Sequence, residues 1–142
     1  MKKSLIEYGV GDNSYQAAGE LSGLTKLVEQ FYLNMTEIPA AKKIRDMHPE
    51  DLTVSKQKLT YFLSGWLGGP KSYAENFGSI SIPQAHRHMD ISEVESEMWL
   101  TCMKKAIDCQ SYENTFKIYL IEALKVPAGR ITQACATYRQ ST

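Results

Sequence analysis

Cysteine and histidine, the residues that build disulfide frameworks and multi-ligand metal sites, are scarce in this sequence. There are three cysteines, Cys102, Cys109 and Cys135, and no two of them form a C-x-x-C pair. An odd number of cysteines without that spacing argues against a disulfide framework and against a zinc-thiolate site. We therefore expect a reducing, cytoplasmic location.

Long apolar runs and an excess of charge of one sign are also missing. No stretch approaches the ~20 apolar residues needed to span a bilayer, and Glu7 interrupts the basic N-terminus before any signal-like apolar segment. Sixteen basic residues balance sixteen acidic ones, whereas nucleic-acid binding depends on a basic surface that displaces counterions. We expect neither a membrane nor a nucleic-acid partner.

The common catalytic signatures are absent as well. There is no H-E-x-x-H, no G-x-S-x-G and no phosphate-binding glycine pattern. His86 and His88 are two residues apart and would point to roughly opposite sides of a helix, so a multi-histidine zinc site would require His48 to fold onto them. A hydrolase built on a cysteine would need a histidine base beside it, which the sequence does not show.

Helical periodicity is what the sequence does contain. Apolar residues at three- and four-residue steps predict a helix over about residues 22–36. Its stripe consists of Leu24, Leu27, Val28, Phe31, Tyr32 and Met35. A short helix from Ser14 to Ala18 is expected before it, and a helical turn from Ala40 to Met47 after it.

Three further helices are predicted from their start and stop signals. Pro49 suits the first turn of one helix, which Gly68-Gly69-Pro70 ends. Ser92-Glu93-Val94-Glu95 is a capping box that opens the next helix, and Ser111 is expected to cap the last. No segment alternates with a period of two, so we predict an all-α fold.

Two segments interrupt this helical pattern. From Lys71 to Pro83 the periodicity disappears, and a loop of about a dozen residues is expected to lead to a short helical piece at Gln84–Asp90. Pro127 is expected to end or kink the last main helix. The 142 residues are predicted to form a single domain, with 1–13 as a lead-in and 127–142 as a tail.

His86 is the residue on which a metal-dependent function would rest. Haem supplies four of the six iron ligands itself, so a protein can bind it with one imidazole, apolar walls and a few polar groups. Considered by itself, however, a lone histidine is more often structural or exposed. Tyr32 and Trp99 are, on periodicity alone, core aromatics.

Six stretches of the chain resemble, in order and spacing, the truncated haemoglobins. These are short globins with a two-over-two helical sandwich, and the resemblance is strongest to their second group. It covers about residues 14–126. The stretches are Val28–Tyr32, His48–Asp51, Phe62-Leu63, Gly68–Tyr73, His86 followed by Ile91, and Met98–Met103.

The resemblance implies a globin-like two-over-two sandwich around haem b, with His86 as the iron ligand. Tyr32 and Trp99 match the distal tyrosine and tryptophan that face the gaseous ligand. His48 stands where the family often has tyrosine or phenylalanine. Its imidazole could donate to the ligand or to Tyr32, or bind ferric iron as a sixth ligand.

The resemblance also assigns the apolar distal wall and the contacts to the haem propionates. Ser55 stands where many larger globins carry a distal histidine. Leu59, Phe62 and Leu63 would pack the distal face of the haem and restrict water.

Lys58 and Tyr73 match positions that reach the propionates. Where the family often has arginine, immediately before the iron ligand, this sequence has Ala85. Arg87 is the candidate substitute.

These residues imply a protein that binds oxygen and other diatomic gases reversibly. Three distal donors would slow oxygen release, which suits nitric-oxide oxidation or peroxide consumption better than oxygen transport. Whether the protein is an enzyme stays open. One alternative is a haem-free helical interaction or signalling domain, and another is a redox enzyme with a dedicated reductase partner.

Overall fold

The computed structural model describes residues 7–78 and 81–140, and all regular structure in these ranges is helical. The helices are α1 (Asn13–Ala17), α2 (Glu20–Glu37), a 3-10 turn (Pro39–Ala41), α3 (Lys42–Asp46), α4 (Thr53–Trp66), α5 (Ser72–Phe77), α6 (Ile82–His86), α7 (Glu93–Asp108) and α8 (Asn114–Gln140). None of them combines the length and apolarity needed to cross a bilayer.

The four longest helices form two packed pairs. Helix α2 packs against α4, α7 packs against α8, and α2 crosses α7 to join the pairs. The predicted stripe of α2 is the centre of the core, because all six of its residues are buried. From α7 and α8 the core receives Met103, Ile107, Phe116 and Leu120, each at most 1% exposed.

The end of α4 is fixed by its contact with the N-terminal segment. Gly68 has φ +92, and a Cβ there would overlap the carbonyl oxygen of Gly11; a Cβ on Gly69 would overlap the Tyr15 ring. The Tyr15 N–H donates to the Leu67 carbonyl at 3.1 Å. The two glycines therefore stop the helix, as predicted, and also admit a second backbone at close range.

Helix α7 begins with the predicted capping box. The Ser92 N–H donates to Glu95 Oε1 at 2.7 Å, and the Ser92 hydroxyl approaches the same oxygen at 2.6 Å. These bonds, followed by Lys43 at 3.2 Å from the carboxylate, lower the pKa of Glu95 to about 2. Glu95 is 7% exposed, so the cap connects the start of α7 to α3.

Replacing Glu95 with alanine is expected to lower the free energy of unfolding by about 1 kcal/mol, the usual contribution of a helix cap. Because the folded-state pKa of Glu95 lies below its ordinary value of 4.5, the contribution of the cap is present above pH 4.5 and disappears as the pH falls towards 2. Urea unfolding at neutral and at acid pH measures the loss of stability and its pH dependence. Glu93→Ala, in the same helical turn but exposed, is the control, and equal losses in the two variants would contradict the prediction.

Part of the predicted loop between Lys71 and Pro83 is helical, so that expectation is wrong. Helix α5 occupies Ser72–Phe77 and α6 already begins at Ile82. Tyr73 and Phe77, four residues apart, pack with ring centroids 5.1 Å apart, and Tyr61 of α4 lies 6.4 Å from Phe77. The aromatic pair, rather than a long apolar stripe, stabilises this turn.

The last helix also differs from its prediction at both ends. Helix α8 starts at Asn114 rather than at a Ser111 cap, and it continues through Pro127 to Gln140. Proline removes one N–H donor, but Cys135 and Tyr138, which lie beyond it on the same helix, contact His86 and Arg87. Tertiary contacts thus outweigh the local cost of the proline.

Candidate functional site

His86 is the last residue of the five-residue helix α6, and its ring is fixed by a local bond. Nδ1 lies 2.7 Å from the Ile82 carbonyl oxygen, and the side chain is half-buried. Because a carbonyl can only accept, Nδ1 carries the proton in the neutral ring and Nε2 keeps a free electron pair. This is the tautomer that a histidine needs to bind a metal through Nε2. His88, two residues on, is exposed.

Tyr32 brings a hydroxyl into the interior from α2. The residue is 5% exposed, and burial raises its pKa to about 12, against the opposing charge of Arg45. No described residue forms a hydrogen bond with this hydroxyl, yet every fully shielded side-chain nitrogen or oxygen in the described ranges has a partner. The hydroxyl is therefore not fully enclosed, and at neutral pH it stays protonated and can donate.

His48 lies beside Tyr32, directly after α3. The two ring centroids are 5.5 Å apart, edge to face, and His48 Nδ1 lies 2.8 Å from the Ile44 carbonyl. Burial lowers the pKa of His48, as do the charges of Arg45 and His86. The two imidazoles are thus within electrostatic reach of each other. At neutral pH His48 is uncharged and its Nε2 can accept a hydrogen bond but not donate one.

Phe31 connects Tyr32 to Trp99. Its ring centroid lies 4.9 Å from that of Tyr32 and 5.0 Å from that of Trp99, both in edge-to-face geometry. Trp99 is half-buried at the edge of the core, and its indole N–H has no partner among the described residues. The predicted distal residues Tyr32, His48 and Trp99 therefore form one continuous group, joined by a phenylalanine.

Helix α4 supplies an apolar wall of two kinds of residue. Leu59 and Phe62 are half-buried and pack on the edge of the core, whereas Leu63 is 0% exposed and lies within it. Ser55 is half-buried one turn before Leu59. Only Ser55, Leu59 and Phe62 therefore retain surface for contact with a ligand, and Leu63 acts mainly as core.

Lys58, Tyr73 and Arg87 lie at the edges of this region. The Lys58 ammonium is 5.4 Å from the ring centroid of Phe77, the ring on which Tyr73 also packs. The Arg87 guanidinium lies 5.2 Å from the ring centroid of Tyr138 on α8. The structure thus brings Lys58 and Tyr73 together and holds Arg87 against a different helix.

Sequence reasoning missed Arg45, which shapes the region around His48. Its guanidinium donates to the carbonyls of Pro49 and Glu50, each at 3.0 Å, and to the Thr36 hydroxyl at 3.2 Å. It thereby fixes the corner after His48. The carbonyl partners of the two imidazoles were missed as well, although in both cases the four-residue spacing is a local signal that could have suggested them.

One surface groove has neither of the two imidazoles in its lining. It runs between α2 and α4 with a volume of about 430 Å³ and is open to solvent. It is lined by Thr25, Lys26, Glu29, Gln30, Tyr32, Leu33, Thr36, Leu52 and Lys56. No imidazole or indole contributes to it, so chemistry is better supported on the side of Tyr32 that faces His48 and Phe31.

The donor set fits haem better than a multi-ligand metal ion. Within residues 7–78 and 81–140, no three His, Cys, Asp or Glu side chains come together as metal ligands, so a multi-histidine zinc site is not formed there. One imidazole with a free Nε2, half-buried apolar side chains and a neutral tyrosine hydroxyl are what an iron porphyrin requires.

Comparison with known proteins agrees with this geometry. The model of the family described as bacterial-like globin matches residues 13–131. The group 2 truncated haemoglobin YjbI of Bacillus subtilis is 34% identical over 114 residues, which are 80% of this chain and 83% of that protein.

Two solved structures show the same fold. The group II 2-on-2 haemoglobin of Agrobacterium tumefaciens has a TM-score of 0.79 at 27% identity and covers 92% of this chain and 97% of its own. The truncated oxygen-avid haemoglobin of Bacillus subtilis has a TM-score of 0.75 at 32% identity, and the match covers 83% of this chain and 97% of that protein. The predicted all-α, two-over-two sandwich is confirmed.

This match supports haem-based binding of gaseous ligands in general and does not favour a haem-free interaction domain. The chain belongs to the bacterial-like globins and, within them, to the group II truncated haemoglobins.

Proposed function

We propose that this protein binds haem b through His86 Nε2 and holds oxygen, among other diatomic gases, in a distal space bordered by Tyr32. The observation that carries the proposal is the bond from His86 Nδ1 to the Ile82 carbonyl at 2.7 Å. In the neutral ring this bond places the proton on Nδ1, leaves Nε2 with a free electron pair, and makes the imidazole a stronger metal ligand. When bound, haem supplies the iron and its ability to hold a diatomic gas.

The distal residues would act by hydrogen bonding and by polarity. Tyr32 is the main donor, because its hydroxyl stays protonated and has no competing partner among the described residues. Trp99 adds a donor-only indole on the far side of Phe31. His48 would be uncharged at neutral pH, with an Nε2 that cannot donate to the ligand.

The residues at the edges would hold the haem itself. Leu59 and Phe62 offer half-buried apolar surface, which would pack the distal face and exclude water. Lys58 and Tyr73 lie together near Phe77 and would reach the propionates. For Arg87, the contact with Tyr138 favours a role on α8 over pairing with a propionate.

A strong distal donor favours retention of oxygen over its delivery. The similarity to an oxygen-avid haemoglobin supports the same direction. We therefore infer a redox role, such as nitric-oxide oxidation or peroxide consumption in the cytoplasm, for which a reductase would have to return the iron to its ferrous form. Nitric-oxide turnover above that of free haem, measured with a reductant, tests this role, and its absence would leave a ligand-binding protein.

The basic test of the proposal is a titration of the haem-free protein with haemin. We expect a Soret band that saturates at one haem per chain, and a ferrous form that binds oxygen and carbon monoxide. A wild-type protein without a saturable Soret band would overturn haem binding. It would restore the haem-free helical domain as the better interpretation.

His48 gives the distal pocket a specific pH dependence. Its pKa is lowered below 6.5, so acidification from neutral pH to well below 6.5 is expected to add a proton at Nε2 and create a second donor. Oxygen dissociation is expected to slow about tenfold over that range, the effect of one charge-assisted hydrogen bond. Stopped-flow measurement of oxygen release at each pH checks this.

Two variants separate this effect from a general acid response. His48→Phe should abolish the dependence, and His88→Phe, at an exposed position, should retain it. The same His48→Phe variant tests coordination of ferric iron by His48, because loss of that ligand would convert the ferric spectrum from low to high spin. A dependence that survives in His48→Phe would assign the titration to another group.

A further inference from the structure

Helix α6 is poorly stabilised by its own residues. It has five residues, none of them buried, and a proline in its first turn. Isolated helices of this length are unstable, because nucleation costs more than one or two backbone hydrogen bonds return. The helix that α6 packs against is α8. The position of His86 therefore depends on α8.

The strongest directional contact between the two helices involves the backbone of His86 itself. The Cys135 thiol on α8 donates to the His86 carbonyl oxygen, with a Sγ–O distance of 3.1 Å. The same oxygen accepts the Met89 N–H at 2.9 Å, so both of its lone pairs are used. Cys135 is 0% exposed, and its bond is therefore shielded from competing water.

Two side chains one turn further along α8 reach the same segment. The Tyr138 ring lies under the Arg87 guanidinium, 5.2 Å from its centroid. Arg139 Nη1 lies 3.6 Å from Asp90 Oδ1. Because Asp90 is 71% exposed and Arg139 47%, this ion pair contributes little. Cys135 and Tyr138 thus contact His86 and Arg87, at the end of α6, directly.

We propose that the segment Cys135–Arg139 of α8 is a positioning element for His86, fixing the carbonyl and hence the turn that directs the imidazole. The proposal rests on the proposed function, in which His86 is the iron ligand. All three contacting residues lie beyond residue 131, where the family match ends.

Amide hydrogen exchange by NMR on the haem-free protein tests the element independently of haem. In Cys135→Ala the Met89 amide is expected to exchange about threefold faster, since a thiol is a weak donor and one neutral bond is lost. Cys135→Ser keeps a donor and should stay close to wild type. In the loaded protein, transfer of haem to a haem-free acceptor globin should accelerate by about the same factor in Cys135→Ala, if the lost bond acts through His86.

Cys102→Ala is the matched control, because Cys102 is equally buried but belongs to α7. Exchange at Met89 that is unchanged in Cys135→Ala, or equally fast in Cys102→Ala, would overturn the positioning role. If either outcome is found and the wild-type protein still shows a Soret band with haem, the proposed function stands. A wild type without a Soret band overturns the proposed function instead, while exchange in the haem-free protein still decides whether Cys135 fixes the His86 turn.

Discussion

Replacing His86 with glycine is expected to abolish stable haem binding. The variant loses the imidazole whose Nε2 is left free by the Ile82 bond, and glycine has no side chain that could take its place as a ligand. Haem affinity should fall by about 100-fold or more, beyond the effect typical of losing a supporting partner of a metal ligand. Titration with haemin, followed at the Soret band, measures this loss.

Free imidazole provides a stringent extension of the same experiment. Added to His86→Gly, it should occupy the space left by the side chain and restore the spectrum, because the residues of α4 and α7 that we propose to contact haem would be unchanged. His88→Gly is the matched control, as it places the same residue two positions away on an exposed site and should bind haem as wild type does. Normal haem binding by His86→Gly without imidazole would mean that another residue is the ligand.

Tyr32→Phe is expected to accelerate oxygen dissociation about 10- to 100-fold, the range of one hydrogen bond to a group that carries partial charge. The ring and its contacts with Phe31 and His48 remain, so the change removes the donor and little of the packing. Flash photolysis with carbon monoxide as a competitor, or stopped-flow release of oxygen, measures the rate.

Tyr112 is a half-buried tyrosine that lies outside the site. Its hydroxyl donates to the Ala18 carbonyl at 3.1 Å, and burial raises its pKa to about 12 as well. Tyr112→Phe should therefore cost about 1 kcal/mol of stability and leave the oxygen rate unchanged. If Tyr32→Phe also leaves the rate unchanged, Trp99 or His48 is the dominant distal partner.

Local signals were sufficient for the main helices. The stripe of α2 and the Ser92–Glu95 cap depend on residues three or four apart, and both were predicted correctly. Helix α5 was missed because its stabilising contacts, Phe77 with Tyr73 and Phe77 with Tyr61, are two aromatic pairs in a segment rich in turn residues. Continuation of α8 past Pro127 depends on packing against α6, which no local pattern contains.

The candidate site was less accessible from the sequence. On periodicity alone Tyr32 and Trp99 are core aromatics, and the structure agrees that both pack on the core. Their polar role was indicated by family resemblance and remains a prediction. Arg45 and Cys135 contribute through contacts with backbone carbonyls. Because every residue has a backbone carbonyl, the sequence does not indicate which one a side chain will contact.

The dependence of α6 on α8 has a consequence for how the protein is made. On the ribosome, α6 and His86 emerge before α7 and well before Cys135. Chain segments become ordered as their packing partners appear, so the iron ligand should stay without a fixed position until α8 has been synthesised and has docked. Haem capture is then expected to follow translation of α8, and nascent chains stalled before Cys135 should hold haem poorly.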